Sequence, residues 1–214
     1  MTGLFVTGTD TGVGKTFVTA ALLTELRRRG LKAAAFKPIA CGEGGREDAR
    51  IYGRIMNDEV SLDVINPVYL RHPLAPSVAA RLERRAIDLA KVFAKYKLLA
   101  GRYSPVLVEG AGGFLVPIRR GYFVADLARD LKLPLLIVAR AGLGTINHTL
   151  LTVRQARAMG LAIAGIVLNN PSGSRGLAEK TNAQEIPRLT GVPVLGGGAR
   201  GICRKLFGDA GVFQ

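Results

Sequence analysis

The 214 residues suffice for one sizeable domain and leave too little for two. With 48% apolar and 21% charged residues the balance is globular and excludes a disordered chain, and no apolar run reaches the roughly 18 residues a bilayer span needs. Thirty Lys and Arg against sixteen Asp and Glu give a net charge of +14, but the cations are scattered through RRRG (27–30), RLERR (81–85) and KVFAKYK (91–97), so they read first as solvated helix faces, then as attraction for anionic small molecules, and only last as a nucleic-acid surface.

In chain order, Leu4–Thr7 reads as a strand and Thr16–Arg29 as a helix, with arginines filling its last turn and Gly30 as its stop. Between them lies VTGTDTGVGKT (6–16). Its Gly14-Lys15-Thr16 ending is that of a phosphate-binding loop, yet where the common pattern has its first glycine this chain has Thr9; the glycine is Gly8, one residue too early. Ala33–Phe36 is a short strand ending at Lys37-Pro38. Helices follow at Glu47–Met56 and Ile87–Leu99, then a buried strand, PVLVE (105–109), and a helix at Ala125–Leu131. Leu135–Ala139 is a fully apolar strand, Ile146–Met159 a helix stopped by Gly160, and Ala164–Leu168 another strand. Arg175–Leu189 is partly helical, and Val192–Leu195 is a last strand. Apolar strands alternating with helices predict an α/β fold: a doubly wound, mostly parallel sheet of about seven strands, covered by helices on both faces, in a single domain over 1–214. MTGLFVTG has neither a basic start nor a cleavage site, and Cys41 and Cys203 suggest no disulfide framework, so the expected location is the cytoplasm.

In such a sheet ligands bind beyond the carboxyl ends of the strands. The loop passes that test. Gly8, Gly12 and Gly14 let the backbone approach a phosphate, the helix start offers N–H groups and a positive dipole end, Lys15 would reach the β/γ-phosphates, and Thr16 would coordinate Mg²⁺. Magnesium at a nucleotide takes one or two carboxylates more. Glu109, in VLVEGAGG, stands at a strand end before Gly110, Ala111 and Gly112. Asp48 opens a helix; alone it reads equally as an acid complementing the helix dipole. Lys37 stands at the ligand edge of its strand, where it is either a second cation for the phosphates or a plain edge lysine. AGLGTINHT exposes N–H groups suited to a carboxylate, and Asn169 and Asn170 in IVLNNP carry amides suited to an adenine edge; both stretches read as well as turn and capping residues.

The whole series resembles the dethiobiotin synthetase family, from Val6 to about Leu195. The family's loop is spelled as Gly8 to Thr16 stand here, so its extra residue is the family's own form. Further matches are KP (37–38), CG (41–42), Asp48-Ala49, INP (65–67), LAPSVAA (74–80), VEGAGG (108–113), LGTINH (143–148) and LNN (168–170). The resemblance implies a P-loop NTPase-type fold and a ligase, a homodimer with active sites at the subunit interface, that turns 7,8-diaminononanoate, carbon dioxide and ATP into dethiobiotin, ADP and phosphate, with no nucleic-acid or membrane partner. It implies catalytic roles for Lys37, Lys15 and Thr11, and Mg²⁺ on Thr16, Asp48 and Glu109. Nucleotide contacts are implied at Gly12, Val13, Gly14, Lys15, Thr16, Phe17, Asp48, Glu109, Gly110, Ala111, Gly112, Asn169, Asn170, Gly198 and Ala199. Substrate contacts are implied at Thr11, Lys37, Cys41, Gly144, Thr145, Ile146 and Asn147, the last four from the neighbouring subunit. Cys41 departs from an expected Ser or Thr, and the segment after Leu195 lacks the family's usual Pro-containing loop. A partitioning-type ATPase would carry a lysine where this loop has Asp10, and a cobyrinate-type amidoligase would need room for a glutaminase domain.

Overall fold

The computed structural model describes residues 1–44, 46–171, 173 and 176–208. In chain order its elements are β1 (Gly3–Gly8), α1 (Lys15–Arg28), β2 (Ala34–Phe36), β3 (Ile39–Cys41), α2 (Glu47–Ile55), α3 (Leu62–Ile65), β4 (Val68–Leu70), α4 (Pro76–Leu82) and α5 (Leu89–Ala100). Then come β5 (Val106–Gly113), β6 (Pro117–Arg119), β7 (Tyr122–Phe123), α6 (Val124–Asp130), β8 (Leu135–Arg140), α7 (Thr145–Ala158), β9 (Ile163–Asn169), α8 (Leu177–Thr190) and α9 (Gly198–Phe207). The start expected for α8, at Arg175, lies outside the described residues.

The central sheet runs β2-β5-β1-β8-β9 with every pairing parallel. The continuous apolar runs are explained by burial: β1 is covered along its whole length, as are Val106–Val108 and Leu135–Ala139. The chain leaves β1 through α1 for β2, returns through β5 between them, and then crosses to the far side of β1. The direction of winding therefore reverses at β1, and the crevice beyond its carboxyl end is where such a sheet binds ligands.

The expected strand count of about seven is corrected to five. Val192–Leu195 forms only a single parallel bridge, Val194 to Ile166, with Leu195 N–H on the Ile166 carbonyl at 2.7 Å. Pro193 cannot donate to a ladder, and the glycines from Gly196 onward lead into α9 instead of extending the strand. Two small additions lay outside the sequence reading: a parallel pair, β3 with β4, and a β6–β7 hairpin. The first matters for the site because it builds a wall beside the end of β2.

Candidate active site

The loop from Thr9 to Gly14 joins β1 to α1. Gly14 precedes the helix at φ 94°, and a Cβ there would lie 1.9 Å from Asn169 Nδ2; the conformation and the close approach of β9 both require glycine. That Asn169 amide donates to the Val13 carbonyl at 2.9 Å, pinning the loop to the end of β9. The first turn of α1 has no acidic residue and no side-chain cap, so its amides remain available to an anion. Lys15 is buried and bends back over the loop to donate to the Asp10 carbonyl at 3.0 Å. Burial lowers its pKa to about 8, with Glu109 pulling upward and Lys37 pushing further down.

Beside the loop lies a compact charged centre. Lys37 Nζ stands 2.6 Å from Glu109 Oε1 and 2.6 Å from Asp48 Oδ2. Glu109 Oε1 also accepts from Thr16 Oγ1 at 3.0 Å, and its other oxygen accepts from the Tyr52 hydroxyl. The Glu109 side chain is 1% exposed and that of Lys37 7%, whereas Asp48 is open at 33%. Burial acts to lower the Lys37 pKa, but the two adjacent carboxylates outweigh it and hold the ammonium above its ordinary range. Four elements thus converge: α1 through Thr16, the end of β2 through Lys37, α2 through Asp48, and β5 through Glu109.

This centre opens into a cavity of about 410 Å³. Thr11, Gly12, Gly14, Lys15, Thr16, Lys37, Cys41, Asp48, Glu109, Ala111 and Gly112 all line it. The β3–β4 side contributes Ile39 and Ala40, and the turn after β4 contributes Pro73 and Leu74. Burial pushes the Cys41 thiol up to about 11. A second cavity of about 300 Å³, on the other side of the loop, is lined by Phe17, Asn169, Gly198 and Ala199 together with Leu168, Leu195 and Ile202. Four groups of expected site residues stand elsewhere. Val13 is fully buried and presents only its backbone to the loop. Gly110 serves packing: a Cβ there would meet Val124 at 2.8 Å and the Phe5 ring at 3.0 Å. Gly144, Ile146 and Asn147, with the buried Thr145, sit at the start of α7, outside both cavities, next to Leu143, which is 98% exposed. Asn170 is on the surface past β9.

Comparison with known proteins agrees with this geometry. A family model described as an AAA domain matches residues 2–197. Curated ATP-dependent dethiobiotin synthetases align over nearly the whole chain. That of Bacillus licheniformis is 43% identical, covering 92% of this chain and 85% of its own; that of Anaeromyxobacter dehalogenans is 50% identical, covering 89% and 86%; that of Akkermansia muciniphila is 42% identical, covering 92% and 91%. The chain belongs to the dethiobiotin synthetase family. Among solved structures, the MinC:MinD cell division protein complex of Aquifex aeolicus (17% identity, TM-score 0.53, 92% of this chain and 80% of that one) and cell division protein FtsY of Thermotoga maritima (17%, 0.54, 95% and 67%) share the fold.

Two residues at this site escaped the sequence reading. Tyr52 lies one helical turn after Asp48, so α2 presents both toward Glu109, and burial together with Glu109 keeps the phenol protonated and donating. The helical spacing was legible; the partner was not. Asn66, inside the INP match, is fully buried and donates to the Lys37 carbonyl at 2.7 Å and to the Val68 carbonyl at 2.9 Å. With the Lys37 N–H on the Ile65 carbonyl at 2.8 Å, both backbone groups of the lysine are held by consecutive residues. An asparagine before proline ordinarily signals a turn, and nothing local marks it as the brace of a distant lysine.

Proposed function

We propose that this chain is an ATP-dependent dethiobiotin synthetase acting on 7,8-diaminononanoate and carbon dioxide, with the residues around Lys37 carrying the chemistry. The observation behind this is the buried Lys37 ammonium between two carboxylates, facing the same cavity as Lys15 and the phosphate loop. One substrate amine takes up carbon dioxide as a carbamate, losing a proton. A carbamate oxygen attacks the γ-phosphorus, the bond to the β-phosphate oxygen breaks, and ADP leaves. The second amine attacks the carbonyl of the resulting carbamic–phosphoric anhydride and loses a proton, the urea ring closes, and phosphate departs with the electron pair of the broken C–O bond. Negative charge accumulates on the oxygens shared by carbamate and phosphoryl group. Two preorganised, buried ammonium groups would stabilise that charge most where it is greatest, in the transition state. Thr11, at the cavity mouth, would contact the diamine, and the amides from Gly12 to Thr16 the phosphates.

The donor set suits Mg²⁺. Thr16, Asp48 and Glu109 offer hard oxygens; the two carboxylates already converge on a cation, the Lys37 ammonium, and the Thr16 hydroxyl stands beside them, donating to Glu109. Among the described residues no cluster of three or more His, Cys, Asp or Glu exists. An ion here would accordingly complete its shell with phosphate oxygens and water, as Mg²⁺ commonly does. Bound there, the ion would neutralise charge on the β- and γ-phosphates. The second cavity would hold the adenine, against Phe17, Asn169, Gly198 and Ala199. The Gly144–Asn147 helix start, outside the cavity of its own chain, would bind the substrate carboxylate of a second subunit across a homodimer. Among the described residues no helix is long and apolar enough to cross a membrane, and we take the enzyme to be cytoplasmic.

The test is phosphate release with each substrate omitted in turn. Turnover is expected only with ATP, the diamine and bicarbonate together. Release indifferent to the diamine but stimulated by DNA would overturn the reading.

A further inference from the structure

The segment 71–75, between β4 and α4, forms the apolar lip of the larger cavity through Pro73 and Leu74. It has no regular structure of its own; a bond from Leu74 N–H to the His72 carbonyl at 2.8 Å is local. What holds it is Glu83. One carboxylate oxygen, Oε1, accepts from two successive lip amides, Arg71 N–H at 2.6 Å and His72 N–H at 3.3 Å. The other, Oε2, lies 3.3 Å from Arg85 Nη1, which also donates to the Tyr69 carbonyl in β4 at 3.0 Å. The Glu83 side chain is only 11% exposed although it belongs to a charged surface run. Burial acts against its ionisation, but the Arg71 and His72 amides and Arg85 outweigh it, so the carboxylate stays charged.

The chain is bent to make this grip. Helix α4 ends at Leu82 with Glu83 as its C-cap, and Arg84 adopts φ 51°, a left-handed conformation unusual for a residue with a side chain. The turn closes with Arg84 N–H on Arg81 and Arg85 N–H on Ala80, at 3.2 and 2.9 Å. It returns Arg85 toward β4, so that Glu83 and Arg85 flank one oxygen-lined junction. The wall behind is the β3–β4 pair, whose Cys41 lies close enough for the Glu83 charge to add to burial in raising the thiol pKa.

We propose that Glu83 is a positioning residue for the organic substrate: it sets the reach of the Pro73–Leu74 lip over the cavity and thereby the fit of the diamine, without touching the nucleotide. This rests on the reaction proposed above. An ionised acceptor of two backbone amides is a stronger tether than a neutral one, and its loss frees a loop rather than a core.

The experiment is steady-state phosphate release by the full-length enzyme with the diamine varied, for wild type, Glu83→Ala and Glu83→Gln, beside titration with a non-hydrolysable ATP analogue and a melting curve. Glu83→Ala is expected to raise KM for the diamine by about tenfold, leaving kcat and the analogue Kd within about twofold. Glu83→Gln keeps an acceptor oxygen for the two amides and is expected to recover most of the loss. An unchanged diamine KM in Glu83→Ala overturns the proposal. So does a parallel rise in diamine KM and analogue Kd with a lowered melting point, which would mark Glu83 as a general brace. A wild-type enzyme indifferent to the diamine overturns the reaction itself and the lip's role with it, and is told apart because it is seen before any variant is made.

Discussion

The two sides of the phosphate loop are built on opposite principles. Toward α2 and β5 lies a buried charged centre in which Lys37, Glu109, Asp48, Thr16 and Tyr52 satisfy one another within single hydrogen-bond distances. Toward β9 and α9 lies a cavity of glycine backbone and apolar side chains, with Phe17 exposed at its edge and Asn169 committed to the loop carbonyl of Val13. The first side is expensive to bury and tolerates few substitutions, because each charge removed leaves another uncompensated. The second is shaped rather than charged. On the function proposed above, the charged side would set rate and the shaped side nucleotide affinity, and substitutions can be chosen to test whether the two separate.

The largest effect should follow from Lys37→Ala. If the charged side governs rate, turnover falls by about 10² or more, while an ATP analogue binds nearly as in wild type. Lys37→Gln should not rescue it, since a hydrogen-bond donor returns but the charge does not. Rates set beside isothermal titration decide the matter; near-normal turnover in Lys37→Ala would reduce the lysine to an edge residue of the sheet.

Lys15, which lines the charged cavity, offers a pH test. Its pKa, about 8 in the free protein, lies below its ordinary value because the charged form is poorly solvated. A nucleotide phosphate favours the protonated form, so affinity should fall as pH rises through about 8, by at most about tenfold per pH unit, with proton uptake on binding. The same sign makes this group a cost to the free fold below about 8 that fades as pH rises toward 10.5. Calorimetry in buffers of different ionisation heat measures the uptake, and Lys15→Arg, which does not titrate in this range, should abolish the slope.

The smallest effect belongs to the shaped side. Phe17→Ala should weaken ATP-analogue binding by about fivefold, the worth of roughly 1 kcal/mol of base stacking, with kcat unchanged at saturating ATP. A fall in kcat would mean that the two sides are coupled through α1 and would break the division.

Much of the architecture was legible because its causes are local. The helices α1, α2, α5, α6 and α7 fall within two residues of their expected spans, since apolar spacing and Gly or Arg endings act within the segment itself. Five of the six named strands exist for the same reason. The sixth reduced to a bridge because Pro193 and the glycines beside it act on the ladder more strongly than the apolar run. The short β3, β4, β6 and β7 were missed, being too brief for any periodicity to register. At the site, the loop from Gly8 to Thr16 announced itself, and Lys37, Asp48 and Glu109 came forward as strand-end or helix-start residues in the family's order, although β5 runs on past Glu109 to Gly113. Tyr52, Asn66 and Glu83 did not, as each acts on a partner brought to it by the fold.

By itself the sequence determined the five strands of the central sheet, the helices α1, α2, α5, α6 and α7, the phosphate-loop form of Gly8–Thr16 and the family to which the chain belongs, because backbone conformation, glycine placement and motif order are properties of neighbouring residues; the helices α3, α4 and α9 went unread. Tertiary structure alone decided the strand order β2-β5-β1-β8-β9, the meeting of Thr16 with Glu109 and of Lys37 with Asp48, the bracing of Lys37 by Asn66, and the tethering of the lip by Glu83. The physical reason is that a crossover in a parallel sheet can skip a position, as the one from β1 to β2 does. Which side chains then face one another across the carboxyl edge depends on where every other strand has been laid.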